Sequence, residues 1–174
     1  MPYDEETMHA LLRDLSAIQP TEKCRERNCS YELIAFNDFN DVLLLDGANA
    51  LYYSNLEHST ASQKINFENE SYMNDLSSIA SSRIPSSVEI KSMKFDLSGD
   101  FLLLRGDFYL SLVVLPKRGR HGKIDATASA SNFKLIDLTD YLVDRNKFKI
   151  IDSKWHPIST YGSIVVLCES KESG

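Results

Sequence analysis

Apolar residues in this chain gather in short runs divided by turn residues, and one segment alone repeats them at helical spacing. Tyr31–Phe36 is rich in β-forming residues and reads as a strand. Val42–Leu45 and Ala50–Tyr53 flank Asp46-Gly47-Ala48-Asn49, a hairpin in which Asp-Gly supplies the reversal. Gln63–Phe67 is a shorter strand. Glu68–Ser87 is polar and serine-rich, a long connection with one helical turn over Tyr72–Ile79. Three strands follow, Val88–Phe95, Phe101–Arg105 and Tyr109–Leu115. Their links, Leu97–Asp100 and Gly106-Asp107, are short enough to make them antiparallel neighbours. Pro116 has no N–H to donate and stops the third. Gly119–Asn132 is a loop. Phe133–Ile136 predicts a strand, Asp137–Val143 a helical turn, and Phe148–Trp155 with Ser163–Leu167 a last pair. The helical segment is the amino end. Asp4 caps it, Glu5 and Glu6 suit the dipole, Met8, Leu11, Leu12, Leu15 and Ile18 share a face, and Pro20 ends it.

Part of this pattern recurs. Phe95-Asp96-Leu97-Ser98-Gly99 precedes Phe101–Leu104, and Trp155-His156-Pro157 precedes Ile164–Leu167, an aromatic-to-aromatic step of 60 residues (95 to 155). A unit repeated at such a period buries its faces against copies of itself. The expected architecture is therefore mainly β: an amino-terminal amphipathic helix over residues 1–20, then an incomplete β-propeller of two to three antiparallel blades over residues 31–168. Closed propellers need typically 4–8 blades. Exposed edges are thus expected, to be completed by a longer product or by something else that covers them.

The length, 174 residues, suits one domain, and a hydrophobic content of 43% suits a globular one. A net charge of −6 argues against the chain as a whole binding nucleic acid. No run approaches the ~18 apolar residues of a membrane span. The acidic start, MPYDEETMHA, lacks the basic-then-apolar order of a signal peptide, pointing to the cytosol or nucleus. Cys24, Cys29 and Cys168, odd in number and without framework spacing, read as reduced thiols. Asn28-Cys29-Ser30 and Asn69-Glu70-Ser71 have the glycosylation pattern, which goes unused without secretion.

Candidate chemistry is sparse. His9, His58, His121 and His156 are not at metal-ligand spacing and read as surface or packing residues. There is no nucleophile elbow, phosphate loop or dinucleotide fingerprint. Asp137, Asp140 and Asp144 are spaced like the solvated face of a helical turn rather than an acid–base pair. No cofactor and no enzymatic activity are expected. Phe95, Phe101, Phe108, Tyr109 and Trp155 fall at strand positions and are assigned to the core. The sole candidate site is Lys117, Arg118, Arg120 and Lys123, four positive charges within seven positions of an acidic chain. A solvated loop at a blade edge is the plain reading, and docking of an acidic partner surface is the functional one. Without interleaved aromatics it does not suit RNA.

Val113-Val114-Leu115-Pro116-Lys117-Arg118-Gly119 resembles the blade-ending block of the nucleoporin 88 family (nucleoporin 82 in yeasts). Trp155-His156-Pro157 with Ile164–Leu167 is similar to that family's tryptophan unit, and Val42–Tyr53 to its first hairpin. The resemblance extends at low density from Tyr31 to Leu167. It implies part of an amino-terminal β-propeller on the cytoplasmic face of the nuclear pore complex, at the nuclear envelope. The implied role is a scaffold that docks other nucleoporins, those with FG repeats or an autoproteolytic domain, in messenger RNA and protein export. The family's remaining propeller and its coiled coil have no counterpart in these 174 residues. The competing reading is a WD-repeat-like propeller adaptor of another intracellular complex. Against it, Leu115-Pro116 stands where the Trp-Asp pair would fall.

Overall fold

Eleven strands form three antiparallel sheets in the computed structural model, which describes residues 31–57, 62–67, 80–119, 122, 124, 132–142, 147–158 and 162–171. The first sheet is a meander: β1 (Tyr31–Phe36), β2 (Asp41–Asp46), β3 (Leu51–Asn55) and β4 (Gln63–Lys64). The second has β6 (Ile90–Phe95), β7 (Phe101–Gly106), β8 (Leu110–Val114) and β9 (Lys134–Asp137) in sequence, with β5 (Ala80–Ser81) beyond β9. The third is β10 (Phe148–Trp155) paired with β11 (Ile164–Ser170). A 3₁₀ turn, Thr139–Tyr141, lies in the predicted Asp137–Val143 stretch. The helix expected over residues 1–20 lies outside the described residues, as does the turn expected at Tyr72–Ile79.

The three sheets stack face to face, and the apolar runs explain how. Each middle strand is apolar at consecutive positions, so it offers a buried face on both sides. In β2 and β3, Leu43, Leu45, Leu51 and Tyr53 join Leu102, Leu104, Tyr109, Val113 and Leu135 of the second sheet in one core. From the opposite face of the second sheet, Leu103 and Leu110 pack with Ile150, Trp155, Ile164 and Val166 of the third. The far face of the first sheet carries a separate buried cluster, Val42, Leu44 and Tyr52. No ring is closed among the described residues.

Register makes the repeat explicit. Phe36 pairs with Val42, Phe95 with Leu102, and Trp155 with Ile164. Val42, Leu102 and Ile164 are therefore equivalent, and each points back toward what precedes its sheet. Leu43, Leu103 and Val165, one residue on, point forward. The first strands begin at Tyr31, Ile90 and Phe148, steps of 59 and 58 residues (31 to 90, 90 to 148).

Each first strand also ends on the same local device. An aromatic is followed by a side chain that accepts the backbone N–H two residues ahead: Asn37 from Phe39 (3.0 Å), Asp96 from Ser98 (3.2 Å) and His156 from Ile158 (3.1 Å). Such a side chain mimics a backbone turn and fixes the reversal. In the second copy Gly99 adopts φ +73°, the left-handed conformation that glycine takes without strain.

Several expectations are corrected. Gly47 does not supply the left-handed residue of the β2–β3 turn; Asn49 does, at φ 61°. Its side-chain amide donates to the carbonyls of Pro85 (2.8 Å) and Val88 (2.6 Å), tying the turn to the second sheet's entry. β4 is shorter than Gln63–Phe67, and β5 falls in the stretch read as connection. Of the aromatics assigned to the core, Tyr109 is buried, its phenol pushed up to about 12 by burial. Phe95, Phe101 and Trp155 are half-buried, and Phe108 is 46% exposed.

Candidate docking surfaces

The basic segment after β8 does not form one patch. Lys117 is exposed. Arg118 turns inward, its side chain 12% exposed, with Nη1 2.6 Å from the fully buried Asp41 carboxylate. Its guanidinium lies 4.0 Å above the Phe39 ring, Nη2 donates to the Gly99 carbonyl (3.2 Å), and Nε is 3.4 Å from Asp100. Arg120 and Lys123 lie outside the described residues. The structure thus separates Lys117, facing solvent, from Arg118, which is engaged within the fold.

Asp41 explains why an arginine sits there. A carboxylate out of water must be paired and hydrogen-bonded. It accepts from the Tyr53 hydroxyl (2.8 Å), the Asn55 amide (2.9 Å) and the Asn37 amide (3.1 Å), and Arg118 neutralises it. Burial, and then the Asp41 charge, push the Tyr53 phenol well above its ordinary value, so it stays a donor. Asn37 also donates to the Gly99 carbonyl (2.9 Å). Arg118 and Asn37 therefore lock the second sheet's turn and exit to the first sheet. Nothing in the sequence flags the Asp41–Arg118 pair, whose members are 77 residues apart (41 to 118) and meet across the boundary between the first two sheets.

Between the β1–β2 and β6–β7 turns lies a cleft of about 410 Å³. Phe36, Phe39 and Leu97 line it and are 37%, 42% and 67% exposed. A second cleft, about 330 Å³, opens at the opposite turns, where Lys64 and Arg83 join Ser82 and Ser86. It borders part of the Glu68–Ser87 stretch. Leu51, Ile65, Phe67 and Ile84 line it as well, so both clefts are partly apolar.

The third sheet presents a further surface. Val165 and Leu167 are 63% and 60% exposed, and Ile151, at the bulge in β10, is 41% exposed. Their counterparts Leu43, Leu45 and Leu103 are buried by the next sheet. The continuous run Ile164–Leu167 gave no hint of this, because a strand covered on one face and a strand covered on both read alike.

Among the described residues no group of three His, Cys, Asp or Glu is placed to hold a metal ion. Asp137 accepts the Thr139 N–H (2.9 Å), a turn-capping role, Asp140 is exposed, and Asp144 lies outside the described residues. Cys168 is an exposed free thiol on β11, and Cys24 and Cys29 lie outside the described residues. No family model matches the chain, and a search of curated proteins found no match to it.

Proposed function

We propose that this chain is a non-catalytic docking platform, part of a β-propeller of the nucleoporin 88 type at the cytoplasmic face of the nuclear pore. The observation that carries the propeller part is the stack itself. Three antiparallel sheets follow one another at steps of 59 and 58 residues, each packed on the last in one direction and each opened by the same aromatic-and-acceptor turn. Their first strands are neighbours, as blades around an axis require: Asn37 reaches Gly99, and the Trp155 indole N–H donates to the Lys94 carbonyl at 2.9 Å. The pore part rests on the resemblance of Val113–Gly119 and of the Trp155 unit. Other nucleoporins are the partners this reading names, and the exposed Phe36–Phe39–Leu97 cleft and Lys117 are the surfaces it offers them.

The test is localisation with partner identification. The tagged chain, expressed in cells, is expected at the nuclear rim, and its captured partners are expected to be named nucleoporins. A soluble, folded chain that recovers chaperones alone overturns the pore reading. Recovery of a different defined complex transfers the platform role to a WD-repeat-like adaptor.

A further inference from the structure

Twice in this fold a cation lies over an aromatic ring that has a carboxylate close by. Arg118 pairs with Asp41 and sits 4.0 Å above Phe39. Lys171 sits 3.8 Å over Phe108, whose chain neighbour Asp107 binds Lys91 and Lys149. A ring face and a carboxylate both attract positive charge, so the two reinforce each other. The cleft between the β1–β2 and β6–β7 turns brings the same two groups together. Asp38 and Asp96 line it beside Phe36, Phe95 and Leu97, and among the described residues no lysine or arginine does. Asp96 accepts the N–H of Ser98 (3.2 Å), the N–H of Phe101 (3.1 Å) and the Ser98 hydroxyl (2.5 Å). Those bonds orient the carboxylate and leave its charge in place. Arg118, stacked on Phe39, is already held by Asp41.

The two walls are fixed to each other. Asn37 in one donates to the Gly99 carbonyl in the other, at 2.9 Å. Gly99 also packs so closely that a Cβ on it would lie 3.2 Å from the Phe39 ring. A preformed cleft avoids the cost of ordering loops when something binds. Its volume, about 410 Å³, suits a few side chains of an extended segment.

We infer that this cleft docks a short segment of a partner protein in which apolar side chains flank an arginine or lysine. The apolar side chains cover Phe36 and Leu97, which are 37% and 67% exposed. The cation lies against Asp96 and Asp38, as Arg118 and Lys171 lie beside their own carboxylates. The same two carboxylates turn away an acidic segment, which gives the cleft its selectivity. The inference rests on the docking-platform reading and is independent of the nuclear-pore assignment.

The probe is the end-blocked peptide glycine-leucine-arginine-leucine-glycine, compared with the same peptide carrying glutamate in place of arginine. Titrated into the isotope-labelled 174-residue chain, the first is expected to shift the amide resonances of Asp38, Leu97 and Ser98. The glutamate peptide should bind roughly tenfold more weakly, with the gap narrowing at about 0.5 M salt. Asp96→Asn removes the charge and keeps the turn, because Asn37 makes the same kind of turn in the first sheet. It should bring the two peptides to within about threefold of each other. Leu97→Ser, at an exposed position, should weaken both. The amides of β2 and β7 report that each variant is folded. Equal binding of the two peptides to the unmodified chain, or shifts from neither, overturns the inference. An undiminished preference for arginine in folded Asp96→Asn does the same. Shifts that grow with protein concentration, without peptide, also overturn it and make a second copy the occupant. Failure at the nuclear rim would leave peptide binding standing, and failure of peptide binding would leave the rim test to decide the pore assignment.

Discussion

The two interfaces of the stack are built differently. Between the first and second sheets lies a dry core: Leu43, Leu45, Leu51, Leu102, Leu104, Val113, Phe133 and Leu135 are nearly or fully buried. At ~1.5–3 kcal/mol for each large side chain taken out of water, this contact dominates the stability of the chain. Between the second and third sheets the fully buried set shrinks to Leu103, Leu110 and Ile150. Polar contacts take up the remainder. Lys94 bonds to Asp152 (3.2 Å) and the Ser153 carbonyl, Asp107 sits between Lys91 (3.0 Å) and Lys149 (3.3 Å), and Lys171 lies 3.8 Å over the Phe108 ring. Exposed pairs of this kind orient more than they stabilise. The first two sheets therefore form the folding unit, and the third is docked on it.

The largest expected effect comes from the Arg118–Asp41 pair buried in the strong interface. Arg118→Ala leaves Asp41 unpaired out of water and should cost about 3–5 kcal/mol in chemical denaturation. Arg118→Lys keeps the charge but loses the planar stacking on Phe39, and should recover part of that loss.

Next come matched cavity variants. Leu102→Ala is expected to cost about 2–5 kcal/mol and to speed exchange in all three sheets. Ile150→Ala should fall near ~2 kcal/mol and speed exchange in β10 and β11 alone. Equal, global effects of the two variants would erase the distinction between folding unit and docked sheet.

Smaller still is Trp155→Phe. It keeps most of the half-buried ring and removes the indole bond to the Lys94 carbonyl, about 0.5–1.5 kcal/mol. The broadened exchange should again be confined to β10 and β11.

The smallest effect is that of acid. The Asp107 carboxyl is held below its ordinary value chiefly by the hydrogen bond from Lys91, with Lys149 adding to it. Asp152 is held down first by the Ser153 N–H and then by Lys94. Groups whose folded pKa is depressed contribute above the unfolded value and lose that contribution as pH falls through the folded one. Loosening of the third sheet should therefore begin below about pH 4, read as a change in Trp155 fluorescence, while exchange in β2 and β7 is still slow. A Lys94→Met variant should shrink the acid-dependent change.

What could be read in advance follows the same division. Strand positions were legible because turn residues and apolar runs are local: β1 and β10 occupy the expected residues, and β7, β8 and β9 lie within a residue or two of them. The Phe95-to-Trp155 step revealed the repeat, but the turn device beneath it came from the structure: His156 reads as a surface or packing residue, and its acceptor role, shared with Asn37 and Asp96, shows only in the hydrogen bonds. Long-range chemistry was not. Arg118 reads as a surface charge beside Lys117, Arg120 and Lys123, and only the fold brings it to Asp41. Exposure of Val165 and Leu167 depends on what lies beyond the third sheet, which periodicity in β11 does not encode. Phe108 was assigned to a strand position, whereas it lies in the turn between β7 and β8.

The far side of the first sheet has a consequence for how such a stack can grow. Val42, Leu44 and Tyr52 are buried there at 0%, 3% and 6% exposure, but Ile34 and Phe36, paired with Leu44 and Val42 and so on the same face, are 43% and 37% exposed. Head-to-tail polymers require every subunit to offer both a donor and an acceptor end. The described residues keep exposed apolar side chains at both ends of the stack, Ile34 and Phe36 at one and Val165 and Leu167 at the other, so covering one end leaves the other open.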